Sequence, residues 1–370
     1  MIVNRLTSAV YRLWFHICGI NAILQCWTIL MRGLFKAFVP FLLQFIVIYM
    51  TLMLTCTHAQ IIKLGTVAPD GSEWHKALKE LAHEWKNLSD GKVVIQIYAG
   101  GIAGDDPDLI RKMRIGQLQA AALATSGIAY IYPDITALTF PNNIKTDDEL
   151  RYVIKNVGPF YEEQIYKKGF KILCWSNAGW VHFFSKNPVV TPDDMKKQKL
   201  FFWGSESNYF ELLKRSGFNP VALSVTDLLP GLQTGLVTAF ASPPQAALAF
   251  QWYASAPNMC NLRWQPLPGV VVITDKAWEQ ISEKLRLEFE KCAAKIGAKV
   301  WNESVKLDNK SIEVMKKHNL KVHQITPDAL SKWEKLINNV GVPVLVGHRF
   351  SCEIFDKINT ALKEYREKKD

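Results

Sequence analysis

Five residues near the front of the chain have side chains suited to acid–base or metal work: Asp70, Glu73, Asp106, His75 and His83. The two histidines stand eight apart on one predicted helix, which suits solvated side chains better than paired ligands. No spacing brings the three carboxylates together, and acids are common at helix starts, where they meet the positive end of the dipole. No G-x-S-x-G, H-E-x-x-H or Walker loop occurs. Gly100–Asp106, GGIAGDD, is glycine-rich between a strand and a helix but lacks the G-x-G-x-x-G spacing, so it reads as a plain turn. The cysteines after residue 59 are Cys174, Cys260, Cys292 and Cys352, far apart and without C-x-x-C. They read as buried small apolar residues, and neither a metal nor a cofactor is expected. What remains is contact chemistry. Lys199–Trp203, KLFFW, sets three aromatics at the end of a strand, just before Gly204. Such a tip either fills a core or lines a hole. The chain reads as a binder and not as an enzyme.

These residues need a scaffold. A chain of 370 residues with 49% hydrophobic and 21% charged residues has material for a large core and, by size, for two lobes. From Ile61 the elements alternate. IIKLGTV reads as a strand, and Ser72 caps a helix with apolar residues at helical spacing from Trp74 to Leu88. Strand Val93–Ala99 follows, then Asp106-Pro107 as N-cap and first helical residue, then strand AAALATS. That alternation implies a parallel sheet with right-handed crossovers. KILCWSNA and HFFSK read as two strands, and Thr191 and Thr326 open helices through Thr-Pro-Asp. After strand GVVVIT a helical pattern runs unbroken from Asp275 to about Asn319, and the last 45 residues read as two more helices.

The first 59 residues are set apart: they carry Arg5, Arg12, Arg32 and Lys36 but no acid. From Met31 two cations precede an apolar run, Ala37–Leu54, and then small residues, the order of an export signal. Residues 1–30 read as an upstream extension. Cleavage is expected before Gln60, with lipidation of Cys56 or a membrane span as alternatives. Without this segment the net charge falls from +10 to +6, since it holds four cations and no anions. No arginine-rich stripe with interleaved aromatics is present, so nucleic acid is not an expected partner.

From Ile61 onward the chain resembles the DctP-type periplasmic solute-binding proteins of tripartite ATP-independent periplasmic (TRAP) transporters. The resemblance is carried in order by IKLGTVAPDGSEWHKALKELAHEW, by YPDITALTFPNN, by KKGFKILCWSNAGWVHFFSKNPVVTPDDMKKQKL and by GFNPVALSVTDLLPGLQTGLV. It implies an α/β, two-lobed periplasmic-binding-protein fold, type II-like, with a long helix bracing both lobes and the ligand in the cleft between them. Lobe I is then expected over 60–180 and 267–306, and lobe II over 181–266 and 307–370. It also implies periplasmic localisation, delivery to a membrane permease and, in some relatives, a helical-repeat periplasmic companion.

Carried over residue by residue, the resemblance places carboxylate-gripping arginines at two positions that here are Phe201 and Val181. Ser242 stands where an asparagine often contacts ligand, and Thr125 where sugar-acid binders often have an acid. Asp106 is retained at the glycine turn, and Asp227 is expected to be structural. Enclosing a carboxylate without its guanidinium costs on the order of several kcal/mol of desolvation. The ligand site is therefore expected at Phe201, Trp203, Val181, Trp180, Trp175, Phe240, Ser242, Thr125 and Asp106, with Trp252 and Tyr253 as weaker candidates whose types are more often core. The expected function is a TRAP receptor for a hydrophobic or amphipathic small ligand. The alternative is a membrane-attached hydrophobe-binding module that works without a permease.

Overall fold

Short, locally marked segments build most of the chain, and two long strands join them. The computed structural model describes residues 59–203 and 208–369, with Trp27 and Gln44 as isolated positions; the expected export signal, the upstream extension and Cys56 lie outside the described residues. The first half runs β1 (Gln60–Thr66), α1 (Glu73–Leu88), β2 (Val93–Tyr98), α2 (Asp106–Arg114), β3 (Ala120–Ala124), α3 (Thr125–Ile128), α4 (Asp147–Tyr166) and β4 (Phe170–Ser185). Then come α5 (Pro192–Lys196), β5 (Lys199–Trp203), α6 (Asn208–Arg215), β6 (Asn219–Leu223), α7 (Leu228–Thr234), β7 (Ala239–Ser242), α8 (Pro244–Ala249) and β8 (Asn258–Thr274). The remainder is α9 (Asp275–Glu279), α10 (Glu283–Lys317), β9 (Lys321–His323), α11 (Pro327–Leu336), α12 (Val342–Leu345) and α13 (Cys352–Glu367). Among the described residues no helix is long and apolar enough to cross a membrane.

Caps explain where helices start. Ser72 accepts from the His75 amide, Thr191 and Asp194 form a reciprocal capping box, and Thr326 accepts from the Ala329 amide. At α2 the cap is Asp105, one residue before the expected one, and Asp106 is the first helical residue. α1 buries Leu78, Leu81 and Trp85, and the Trp85 ring stacks on Phe289 of α10 at 4.1 Å. Burying such a ring contributes about 2–3 kcal/mol. His75, expected to be solvated, is buried, with Nδ1 2.7 Å from the Asp70 carboxylate and 3.0 Å from the Gly71 amide. His83 is exposed beside Asn87. Cys174 and Cys260 are buried, but Cys292 is half-buried and Cys352 exposed, against expectation.

The nine described strands form one mixed sheet in the order β2-β1-β3-β8-β4-β7-β5-β6, with β9 beside β8. Its two flanks, β2-β1-β3 and β7-β5-β6, are parallel as expected. The centre is not: β8 runs antiparallel to β3 and β4, and β4 antiparallel to β7. KILCWSNA and HFFSK are one sixteen-residue strand, not two. β8 begins eleven residues before GVVVIT, because Pro266 and Pro268, which cannot donate to a ladder, disguise its first part. Those prolines sit opposite Trp180 and Asn177, where the β4–β8 register shifts.

The expected 45-residue helix is interrupted. α9 ends at Glu279, and Ser282 opens α10, whose 35 residues span about 52 Å. α10 packs directly on β4. A Cβ on Gly297 would lie 2.5 Å from the Trp175 carbonyl oxygen, so only glycine permits the approach. Farther along, the buried Asp308 accepts hydrogen bonds from the backbone amides of Trp180 (3.1 Å) and Gln245 (3.4 Å), tying α10 to β4 and α8. Gly179, at φ +104°, leaves room for that carboxylate.

Burial pushes the Asp308 carboxyl up to about 7, outweighing the two amide donors and Arg263. From its ordinary 3.8 to about 7 the folded protein keeps a proton that the unfolded chain releases, so this group lowers stability as pH rises through that window. His182, held down to about 4 by burial, acts in the opposite sense between pH 4 and 6.5. The difference between wild type and Asp308→Asn isolates the carboxyl. Urea unfolding across this range should show the variant gaining on wild type by up to about 4 kcal/mol as pH rises; parallel curves contradict the assignment. Gly297→Ala should cost about 1–3 kcal/mol at any pH in the same assay.

Candidate functional site

A cavity of about 690 Å³ opens where the parallel strands end. Thr66 of β1, Ala124 of β3, Trp203 of β5 and Ser242 of β7 all line it, each at or next to the carboxyl end of its strand. Open α/β sheets place ligands there because the loops diverge at that edge. The floor comes from the irregular stretch of β4 and β8, with Ala178, Val181, Leu267 and Gly269. α10 closes one side through Leu307, Lys310, Ser311 and Val314. The volume suits a small organic molecule.

Part of the wall is aromatic, and the polar tips of Trp264, Tyr209 and Trp203 are already engaged. Trp264 Nε1 donates to the Tyr209 hydroxyl (3.0 Å), which donates to Gln265 Oε1 (3.2 Å). Burial pushes the Tyr209 hydroxyl up to about 12, so it stays neutral at ordinary pH. Trp203 Nε1 donates to both oxygens of Asp105 at 3.0 Å, and the Val225 amide donates to the same carboxylate at 3.3 Å. Asp105 thus fastens the glycine turn to the tip of β5. With their hydrogen-bonding atoms engaged, these rings offer the cavity apolar surface.

Four lining residues have acidic or basic side chains: Glu73, Asp106, Lys310 and Arg349. Glu73 is paired with Lys76 at 2.7 Å. Asp106 is 1% exposed, and neither its carboxyl oxygens nor the nearby Ser126 hydroxyl makes a well-formed hydrogen bond. Burial, and then the Asp105 charge, hold the Asp106 carboxyl well above the usual carboxylate range and favour its neutral form. Arg349 is half-buried, and burial lowers its basicity. Among the described residues no cluster could hold a metal ion.

Of the nine positions expected to line the site, Phe201, Trp203, Val181, Ser242 and Asp106 do so. The other four belong elsewhere. Trp175 packs beside Tyr161 at 6.3 Å and donates Nε1 to Glu162 at 2.7 Å. Trp180 is buried beneath the Arg263 guanidinium, facing away from its neighbour Val181. Phe240 is fully buried and stacked on Phe184 at 4.9 Å, and Thr125 donates its hydroxyl to the Pro268 carbonyl at 2.7 Å. Of the two weaker candidates Trp252 also lines the cavity, stacked on Phe250 at 4.4 Å, and Tyr253 does not. Tyr209 and Trp264 went unmarked because nothing local separates a lining aromatic from a buried one. Arg349 lies in the tail, far in sequence from every strand end, and carries no local signal.

The profile of the bacterial extracellular solute-binding protein, family 7 (DctP), matches residues 64–341. A solute-binding protein of Chromohalobacter salexigens is 24% identical over 64% of this chain and 72% of its own length. The sialic acid-binding periplasmic protein SiaP of Vibrio cholerae is 24% identical over 65% of this chain and 75% of its own. The sugar acid binding protein DctPAm of Advenella mimigardefordensis, solved with galactonate, has a TM-score of 0.78 at 21% identity, over 83% of this chain and 98% of that one. A TRAP periplasmic solute binding protein of Ralstonia eutropha, solved with (S)-2-acetolactate, gives 0.77 at 20% identity, over 83% and 100%. The chain belongs to the DctP family of bacterial extracellular solute-binding proteins, which are binding proteins and not enzymes, and it shares its fold with TRAP periplasmic solute-binding proteins.

Proposed function

We propose that this receptor takes a hydrophobic or amphipathic small molecule and delivers it to TRAP permease subunits. One observation carries the reading: Phe201 and Val181, where the resemblance sets the carboxylate-gripping arginines, both line the cavity and are both apolar. Related structures hold β-D-galacturonate, succinate or D-glucuronate, ligands that need polar partners throughout. The apolar side chains of Phe201 and Val181 supply none where the resemblance sets the arginines. The rings are themselves largely buried, Phe201 at 8% exposure and Trp252 at 5%, so the ligand's own apolar body supplies most of the surface removed from water, at about 25 cal/mol per Å².

The ligand then sits between a lobe of residues 60–180 and 267–306 and one of 181–266 and 307–370, which close around it. The bond from Trp203 to Asp105 joins the two sides and fits a closed state. Residues 31–59 serve as the export signal, ending before Gln60, or with a lipid on Cys56. Trp203 and Trp252 line the cavity, so ligand entry is readable from intrinsic fluorescence. Decan-1-ol should quench it saturably and tighter than D-glucuronate or succinate. Phe201→Arg should weaken the alcohol roughly tenfold or more, by setting a charge in the apolar wall. Tighter binding of D-glucuronate than of decan-1-ol by the wild type contradicts the reading.

A further inference from the structure

Arg349 is held in place by its backbone. Its amide donates to the Leu345 carbonyl at 2.8 Å, the Gly347 amide donates to the Phe350 carbonyl at 2.8 Å, and Leu345 and Phe350 are both buried. Gly347, at φ +78°, makes the tight turn that sends the arginine inward. Its guanidinium lines the cavity, yet Nε is buried with no hydrogen-bond partner, and no carboxylate of the described residues pairs with it. A buried guanidinium donor left without an acceptor is costly, and a bound ligand can supply one.

The surrounding charge selects that acceptor's sign. Glu73 is neutralised by Lys76, and Asp106 favours its neutral form. Lys310, exposed on α10, adds a second cation to the lining. Among the described lining residues the charge is therefore net positive, and aromatic rings stand beside it. We infer that Arg349 anchors the carboxylate of a single-headed amphipathic acid, whose apolar body lies against Phe201 and Trp252. The guanidinium fork matches a carboxylate with two parallel N–H···O bonds. Here the cation comes from the C-terminal tail, whereas the strand positions Phe201 and Val181 supply none. The inference rests on the apolar-cavity reading above and narrows it to one ligand class.

The test compares decanoate with decan-1-ol at neutral pH, on the purified protein, by tryptophan quenching. Wild type should bind the acid roughly tenfold or more tighter than the alcohol, as expected of a charge-assisted bond. Arg349→Gln should bring that ratio near one, and Arg349→Lys should restore part of it. A wild-type ratio near one overturns the role of Arg349 while leaving the apolar cavity standing, and so does a ratio that Arg349→Gln leaves intact. Binding of neither probe overturns both.

Discussion

The antiparallel pairing of β4 with β8 is the constraint on which the rest of the molecule depends. These two strands join the parallel flanks into one sheet, and each crosses from one flank to the other. They cannot stay regular along their whole length, because Pro266 and Pro268 remove two donors from the middle of the ladder. The register slips between Asn177 and Trp180, and Val181, just past the slip, lines the cavity. The irregular stretch is braced. Asn177 is fully buried, donates to Asp147 at 3.1 Å and accepts from the Gly179 amide at 3.0 Å. Asp147 also accepts from Trp301 of α10 at 3.0 Å.

α10 links this brace to the site. Gly297, Trp301 and Asp308 lie along it and hold successive parts of β4, and Leu307, Lys310 and Val314 then form a wall of the cavity. Gln245 of α8 completes the connection, donating Nε2 to the Ala178 carbonyl at 2.7 Å while its amide binds Asp308. A movement of α10 would therefore shift both the bulge and the cavity wall. The buried polar groups differ in role. Asp308 is satisfied by backbone amides and serves structure, whereas the Asp106 carboxyl oxygens and the Arg349 Nε, both on cavity-lining residues, have no hydrogen-bond partner.

Local signals in the sequence carried much of the fold. Ser72, Thr191 and Thr326 cap the helices expected of them, and Gly235, at φ +77°, ends α7 where a left-handed residue is needed. Long-range pairing was harder to read. The prolines of β8 look like breakers until β4 is seen opposite them, and Ser282 interrupts a helical pattern that periodicity alone extends. At the site, the position-by-position resemblance located Phe201 and Val181, since each occupies a place with a defined direction in the fold. Trp175, Trp180 and Phe240 were chosen by residue type, and type does not say which face of a strand a ring occupies. Arg349 depends on how the tail folds back, which no neighbouring residue encodes.

The cavity combines a family scaffold with apolar side chains at Phe201 and Val181 and cations at Arg349 and Lys310. The most direct measurement is mass spectrometry of an organic extract from the protein purified without added ligand. The account predicts an amphipathic molecule, with a substantial apolar body and one acidic head, in stoichiometric amount. Recovery of a small hydrophilic sugar acid or dicarboxylate would contradict it.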